Sequence, residues 1–255
     1  ITQTEEHCMA LIPYSICGDS HGHMADKGAV KAFLKFCDLF KPKLRIHLGD
    51  LMDLPAWRKG ADQSDKEISM QGDYDDGMEF LEVAEIDVLL RGNHDHRLIK
   101  VASEARGPMK DYATGIVMDM EKRAANLGCR ILPWGVRDGV YELGKVRSGG
   151  FRVVHGYRAG IHATAAEVRA YGRVIHGHIH CVGTHIGSTY DASEGHSIGA
   201  LCKIDMDYAA GYQTTLRQEH GWGYGVYNDR TGAVVFQHAR KVDGKFIYAS
   251  EFGKI

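Results

Sequence analysis

With 255 residues, 44% of them hydrophobic and 25% charged, the chain is long enough to bury a real core as one large α/β domain or at most two small ones. A formal net charge of −2 argues against the uniformly basic surface of a protein that binds long duplex DNA. No run of about 18 apolar residues occurs, so no membrane span is expected. Ile1 to His7 lacks the charged, apolar and small-residue succession of a signal peptide, and the first residue is not Met, so residue 1 is not read as a natural start. The six cysteines (Cys8, Cys17, Cys37, Cys129, Cys181, Cys202) are scattered without a C-x-x-C pair, which favours a reducing, cytoplasmic compartment over a disulfide framework.

Leu11 to Cys17 is a short apolar run ending at Gly18 and reads as a buried strand. Lys27 to Phe40 carries Val30, Phe33, Leu34, Cys37 and Phe40 at helical spacing, closed by Lys41-Pro42. Leu44 to Leu48 is the next strand, and strand–helix–strand alternation implies parallel pairing in an α/β sandwich. Residues 53 to 76 are rich in Gly and Asp without clear periodicity and read as an excursion above the strand ends, before a helical stretch from Met78 to Glu85. Ile86 to Leu90 is a strand, Tyr112 to Leu127 a helix and Arg130 to Pro133 a short strand. Phe151 to Val154 is a strand, Ile161 to Tyr171 a helix and Arg173 to Ile175 a strand. In the last sixty residues, Gly223 to Tyr227, Ala233 to His238 and Lys245 to Tyr248 read as a second, antiparallel sheet. No repeat or linker interrupts the chain, so residues 1–255 are expected to form one domain, with a core at about 13–180 and a second-sheet tail at about 181–255.

Charge is unevenly spread. Residues 50 to 87 hold twelve acidic and three basic side chains, and residues 122 to 173 hold ten basic and three acidic ones. Either these are solvated faces of opposite sign, or the basic stretch attracts an anionic substrate.

Five short motifs follow the apolar runs in a fixed order. They are G-D-S-H (Asp19, His21), G-D-L-M-D (Asp50, Asp53), G-N-H-D (Asn93, His94, Asp95), V-H-G (His155) and H-G-H-I-H (His176, His178, His180). A lone His at a strand end is usually structural, but an ordered set of Asp, Asn and His donors suits divalent transition metals, with enough donors for two ions. Open α/β sheets bind ligands at the carboxyl ends of their strands, which would gather all five motifs into one crevice. A pair of such ions is a recurrent device for attacking phosphate esters.

The five motifs, spanning roughly residues 13 to 180, resemble those of the calcineurin-like metallophosphoesterase superfamily. That resemblance implies a four-layer α-β-β-α sandwich of two mixed sheets flanked by helices. It implies that Asp19, His21 and His180 hold one metal, that Asn93, His155 and His178 hold the other, and that Asp50 bridges both. A carboxylate with two oxygens can bridge two cations, whereas an imidazole cannot. By the same resemblance His94 is a catalytic residue facing the phosphate, with Asp95 orienting its ring and keeping it protonated. Asp53 is expected either to accept a hydrogen bond behind a ligand or to cap a helix. Among the residues flanking the motifs (His23, His96 and Arg97), His23 and Arg97 are the candidate substrate contacts, and Arg97 stands first because guanidinium matches phosphate geometry. Tyr157, Arg158, Trp57 and Arg58 are weaker pocket candidates. His176 is expected to pack beneath the site, with His47, His162, His185 and His196 structural or exposed. The tail, with Gly199 to Cys202, Tyr208 and Trp222 to Gly225, is similar to that of small members of the superfamily, including ones from bacteriophage genomes; a phage-encoded chain would act in the host cytoplasm.

The superfamily spans phosphomonoesterases, cyclic-nucleotide phosphodiesterases, nucleases and protein phosphatases. G-N-H-D in place of the G-N-H-E of the protein Ser/Thr phosphatases disfavours that branch. Only 75 residues follow His180, which leaves little room for the capping domain of the repair nucleases. The expectation is therefore a dinuclear metal-dependent phosphodiesterase acting on nucleotides or short oligonucleotides. A compact single-domain DNA or RNA nuclease and a phosphomonoesterase are the alternatives, and a non-catalytic scaffold comes last. Mn²⁺ is the expected metal, with Fe, Zn, Ni and Co also suited to these donors.

Overall fold

Alternation along Leu11–Cys17 shapes the first strand, β1: Tyr14 and Ile16 enter one core while Cys17 enters another on the opposite face. The computed structural model describes residues 11–188, 193–204 and 217–248; the N-terminal segment with Cys8, and Tyr208 in the tail, lie outside them. Helix α1 (Lys27–Phe40) starts where the Asp26 carboxylate accepts the Ala29 amide and ends at Lys41, whose left-handed backbone returns its amide to Cys37. Then come β2 (Leu44–His47), a short α2 (Gln63–Glu67), α3 (Met70–Val83), β3 (Val88–Leu90), α4 (Asn93–Glu104), α5 (Pro108–Asn126) and β4 (Arg130–Leu132). They are followed by β5 (Tyr141–Leu143), β6 (Phe151–Val154), α6 (Ala163–Tyr171), β7 (Val174–His176), β8 (Val182–Ile186) and β9 (Glu194–Ile198). The last strands are β10 (Gly221–Asn228), β11 (Val234–Val242) and β12 (Lys245–Ile247).

Two mixed sheets result. The larger has the order β12-β11-β10-β1-β2-β3-β4, and the smaller β5-β6-β7-β9-β8. Strands β1 to β4 run parallel, with Ile16 opposite Ile46 and Ile46 opposite Val88. Between the sheets lie Tyr14, Ile16, Ile46, Leu48, Leu90, Phe151, Val153, Ile175 and Ile198, all essentially without solvent contact. Outside the larger sheet α1, α3, α4 and α5 cover Phe33, Phe36, Leu81, Leu98 and Met120, and outside the smaller sheet α6 covers Val154 and Val174 with Val168 and Tyr171. The four-layer α-β-β-α sandwich is the observed architecture.

Two sequence readings need correction. The tail strands are antiparallel as expected, but they do not form a second sheet. β10 pairs antiparallel with β1, Ser15 opposite Tyr224, and so extends the first sheet. Its Trp222 is fully buried against Phe33 and Phe36 of α1, at ring separations of 5.6 and 5.4 Å. The second sheet is instead built from the middle of the chain. Secondly, the acidic excursion is more ordered than its composition suggested, because α3 begins at Met70 behind a Ser69 cap. Its buried Asp73 accepts hydrogen bonds from the amides of His23, Asp53 and Leu54 and so ties the excursion down. The G-N-H-D motif follows β3 as expected, and its Asn93 opens α4, a helix that the sequence reading did not assign.

Candidate metal centre

The motifs collect at the carboxyl ends of β1, β2 and β3 in one sheet and β6 and β7 in the other, so the crevice lies across two facing sheets. Their glycines have a steric purpose. A Cβ at Gly92 would collide with the Asp50 carboxylate, and one at Gly177 with the Asp19 carboxylate. The backbone is strained at the donors themselves. Asp19, His21, Asp50, His178 and His180, five of the seven expected ligands, have φ between +50° and +69°. Each costs roughly 1–3 kcal/mol outside glycine, and such strain concentrates at functional sites.

Asp50 stands at the centre. Its Oδ2 is 3.3 Å from His155 Nε2 on one side and 3.8 Å from His21 Nε2 on the other. Asn93 Oδ1 lies 3.0 Å from the same His155 nitrogen, and His178, His155 and Asp50 bring donor atoms within 4.8 Å of one another. Across the crevice His180 Nε2 is 3.3 Å from Asp19 Oδ1, and its ring is 5.2 Å from that of His21. Both Asp19 oxygens accept the His178 amide, which links the two groups. All seven expected ligands are therefore brought together in two groups that meet at Asp50.

The ring nitrogens facing away from the centre are occupied. His21 Nδ1 pairs with Asp53 Oδ1 at 2.9 Å, His155 Nδ1 donates to the Leu48 carbonyl at 3.0 Å, and His180 Nδ1 faces the Cys202 thiol at 3.8 Å. That pattern fixes each ring so that Nε2 points inward, the usual support of a metal-bound imidazole. His21 Nε2 is fully buried with no hydrogen-bond partner. A buried ring nitrogen that faces the Asp50 carboxylate without a hydrogen-bond partner fits a divalent cation.

Electrostatics reflect the same crowding. Burial alone would raise the pKa of Asp50, but His155, His94 and His21 hold it well below the usual carboxylate range. Asp19, also opposed by burial, is lowered to about 2 by His180 and His155. Burial opposes protonation of His155, yet Asp50 pushes it up to about 9, while burial and the neighbouring His155 push His178 down to about 4.

His94 lies beside this cluster, its ring edge-on to His21 at 4.5 Å. Its Nδ1 is 2.9 Å from Asp53 Oδ1 and 3.0 Å from the Asp53 carbonyl oxygen. Arg97, one turn along α4, donates to His94 Nε2 at 3.1 Å and to the Asp53 carbonyl at 2.9 Å. Asp95, by contrast, does not meet the His94 ring as expected. Lying at the third position of α4, its side chain turns back to accept the Gly92 and Met52 amides at 2.8 and 3.1 Å, which clamps two motif loops together. The residue that orients His94 is Asp53, whose carboxylate serves two imidazoles at once.

Other candidates separate cleanly. His23 is held by Asp73 at 2.6 Å, with its Nε2 shielded and unpartnered. His176 is buried beneath the site, bonded to the Gly177 carbonyl and the Thr164 hydroxyl. His47 is buried against the Ser20 hydroxyl and the Gly49 amide, and His196 is buried between the sheets. Arg58 pairs with Asp65 and Arg158 with buried Glu167, so both serve local structure. Sequence reasoning missed Cys202, behind His180, and Trp134, whose ring is 5.4 Å from that of His155. Neither lies within a motif; Trp134 follows β4, whose strand end neighbours that of β3.

Two facing mixed sheets, helices on the outside, and Asp, Asn and His donors clustered at the strand ends make up an α/β sandwich that carries a candidate metal centre. No protein-family model and no curated protein sequence matches the chain. Among solved structures, it is similar to Vacuolar Protein Sorting 29 from Cryptosporidium parvum at 12% identity, covering 94% of this chain and 96% of that one, with a TM-score of 0.49. A phosphatase from Mycoplasma pneumoniae aligns at 11% identity over 91% of this chain and 94% of that one, with a TM-score of 0.44. An archaeal phosphodiesterase aligns at 16% identity over 89% and 99%, with a TM-score of 0.41. Among the described residues no helix is long and apolar enough to cross a membrane.

Proposed function

We propose that the chain is a dinuclear metal-dependent phosphoesterase, and that phosphodiesters of nucleotides or short oligonucleotides are its substrates. The observation that carries this reading is the position of Asp50, one carboxylate facing Nε2 of His21 and of His155 while Asp53 and the Leu48 carbonyl occupy the opposite nitrogens. Asp19, His21 and His180 would hold one ion, Asn93, His155 and His178 the other, with Asp50 shared. Mn²⁺ suits these oxygen and imidazole donors. When bound, two such ions would neutralise phosphate charge and lower the pKa of water to near neutrality.

The chain's own residues do the rest. Asp53 pins His94 through Nδ1, which leaves Nε2 as the atom that can carry a proton to the leaving oxygen. Arg97, now on Nε2, offers a guanidinium that an arriving phosphate oxygen would take over, freeing that nitrogen. A scaffold on the same fold would have no use for a His94 held this way. The test combines elemental analysis with hydrolysis of bis-p-nitrophenyl phosphate. The expected result is about two equivalents of metal per chain and an activity lost on chelation and restored by Mn²⁺. A chain that takes up no metal at neutral pH would overturn the reading.

A further inference from the structure

We propose that Trp134 is the platform on which the nucleobase of the substrate stacks. The inference rests on the proposed phosphoesterase reading for where the phosphate sits, and on separate observations for the base. Trp134 follows the end of β4, which runs parallel to β3 and therefore opens at the same edge of the sheet as Asn93 and His94. The indole is half-buried, edge-on to His155 at 5.4 Å and 69°. Tyr157 backs it at 4.4 Å. The loop beneath is locked at three points: the Tyr157 hydroxyl donates to the Gly135 carbonyl at 2.6 Å, the Tyr171 hydroxyl to Val136 at 3.0 Å, and the Gly139 amide to Gly135 at 2.8 Å. Val136, two residues on, is 56% exposed. Two tyrosines thus spend their polar ends on holding a tryptophan still beside an expected metal ligand. A rigid aromatic surface 5.4 Å from the ring of an expected metal ligand suits a planar base, and stacking of this kind tolerates any base.

The alternative role for Trp134 is an apolar cover over His155, and the two roles respond differently. In a Trp57→Phe background emission comes from Trp134 and the fully buried Trp222, which an added ligand does not reach, so the change on ligand addition reports Trp134. Adenosine 5′-monophosphate should quench it and ribose 5-phosphate should not. Equal quenching by both, or by neither, would overturn the proposal. In the kinetic arm, Trp134→Leu keeps an apolar cover but removes the ring. It should raise KM for a nucleotide ester by about tenfold or more and leave KM for a non-aromatic phosphate ester within about twofold, with Trp134→Phe close to the parent. A matching loss on both substrates would assign Trp134 to cover alone. Base-dependent quenching in a chain that hydrolyses no ester would leave the platform standing and sink the phosphoesterase reading instead.

Discussion

The Asp53 carboxylate and the His94 ring meet at 2.9 Å, and the same oxygen stands 2.9 Å from His21 Nδ1. One acidic side chain therefore sets the orientation of an expected metal ligand and of the expected proton donor. Replacing Asp53 by Asn keeps the shape but removes the charge that fixes both tautomers. Asp53→Asn should lower metal affinity by about 10- to 100-fold, the usual penalty for losing the partner of a ligand imidazole, and lower kcat even at saturating metal. Metal titration by calorimetry and turnover at saturating Mn²⁺ separate the two effects. Unchanged kcat at full metal occupancy would mean that Asp53 serves His21 alone.

His94 is not among the seven expected ligands, so its removal should spare the metals. His94→Ala is expected to lower turnover by about 10²- to 10⁴-fold, the range of general acid catalysis, with metal content nearly intact by elemental analysis. Activity within a few-fold of the parent would remove His94 from the chemistry.

Asp95 gives a contrasting expectation. It clamps the Gly92 and Met52 amides and does not reach the His94 ring. Asp95→Ala would leave two buried amides without acceptors, at a cost of about 1–3 kcal/mol each. The urea midpoint should fall markedly, while the pH profile of the remaining activity keeps its shape. A displaced pH profile would restore the role that the sequence suggested.

How much of this was legible depends on what carries the information. The gathering of the motif side chains was readable because strand ends bring short motifs to one edge whatever the loops do, and glycines at 92 and 177 mark the close approaches to Asp50 and Asp19. Helix α1 was readable to the residue, since Asp26 and Lys41 close a clear apolar period. The Asp53–His94 contact was not, because Asp95 is the nearer carboxylate in sequence while the first turn of α4 aims it at the backbone. Pairing of β10 with β1 was equally hidden: alternating Gly, Trp and Tyr says that residues 221 to 228 form a strand, and nothing local says which sheet receives it. Trp134 lies in no motif and gains its meaning only from the parallel β3–β4 register.

The last prediction concerns acid. His196 and His238 lie between the sheets, away from the metal cluster, their rings 5.4 Å apart and both against Phe236. Burial pushes His196 down to about 3, with His238 and Arg173 adding to the effect, and burial pushes His238 down to about 4 with help from Arg240. Both are therefore neutral in the folded chain at pH values where an unfolded histidine, near its ordinary 6.5, takes up a proton. Since the unfolded state binds more protons across this window, stability rises with pH through it. It is fully present above about 6.5 and is lost as pH falls toward about 4. Each histidine contributes a slope of at most about 1.4 kcal/mol per pH unit. Urea unfolding of chelated protein between pH 7 and 5 should show this slope, and the pair His196→Gln and His238→Gln should flatten it relative to the parent under the same conditions. Parallel pH profiles for parent and variant would mean that the two rings are not held neutral between the sheets.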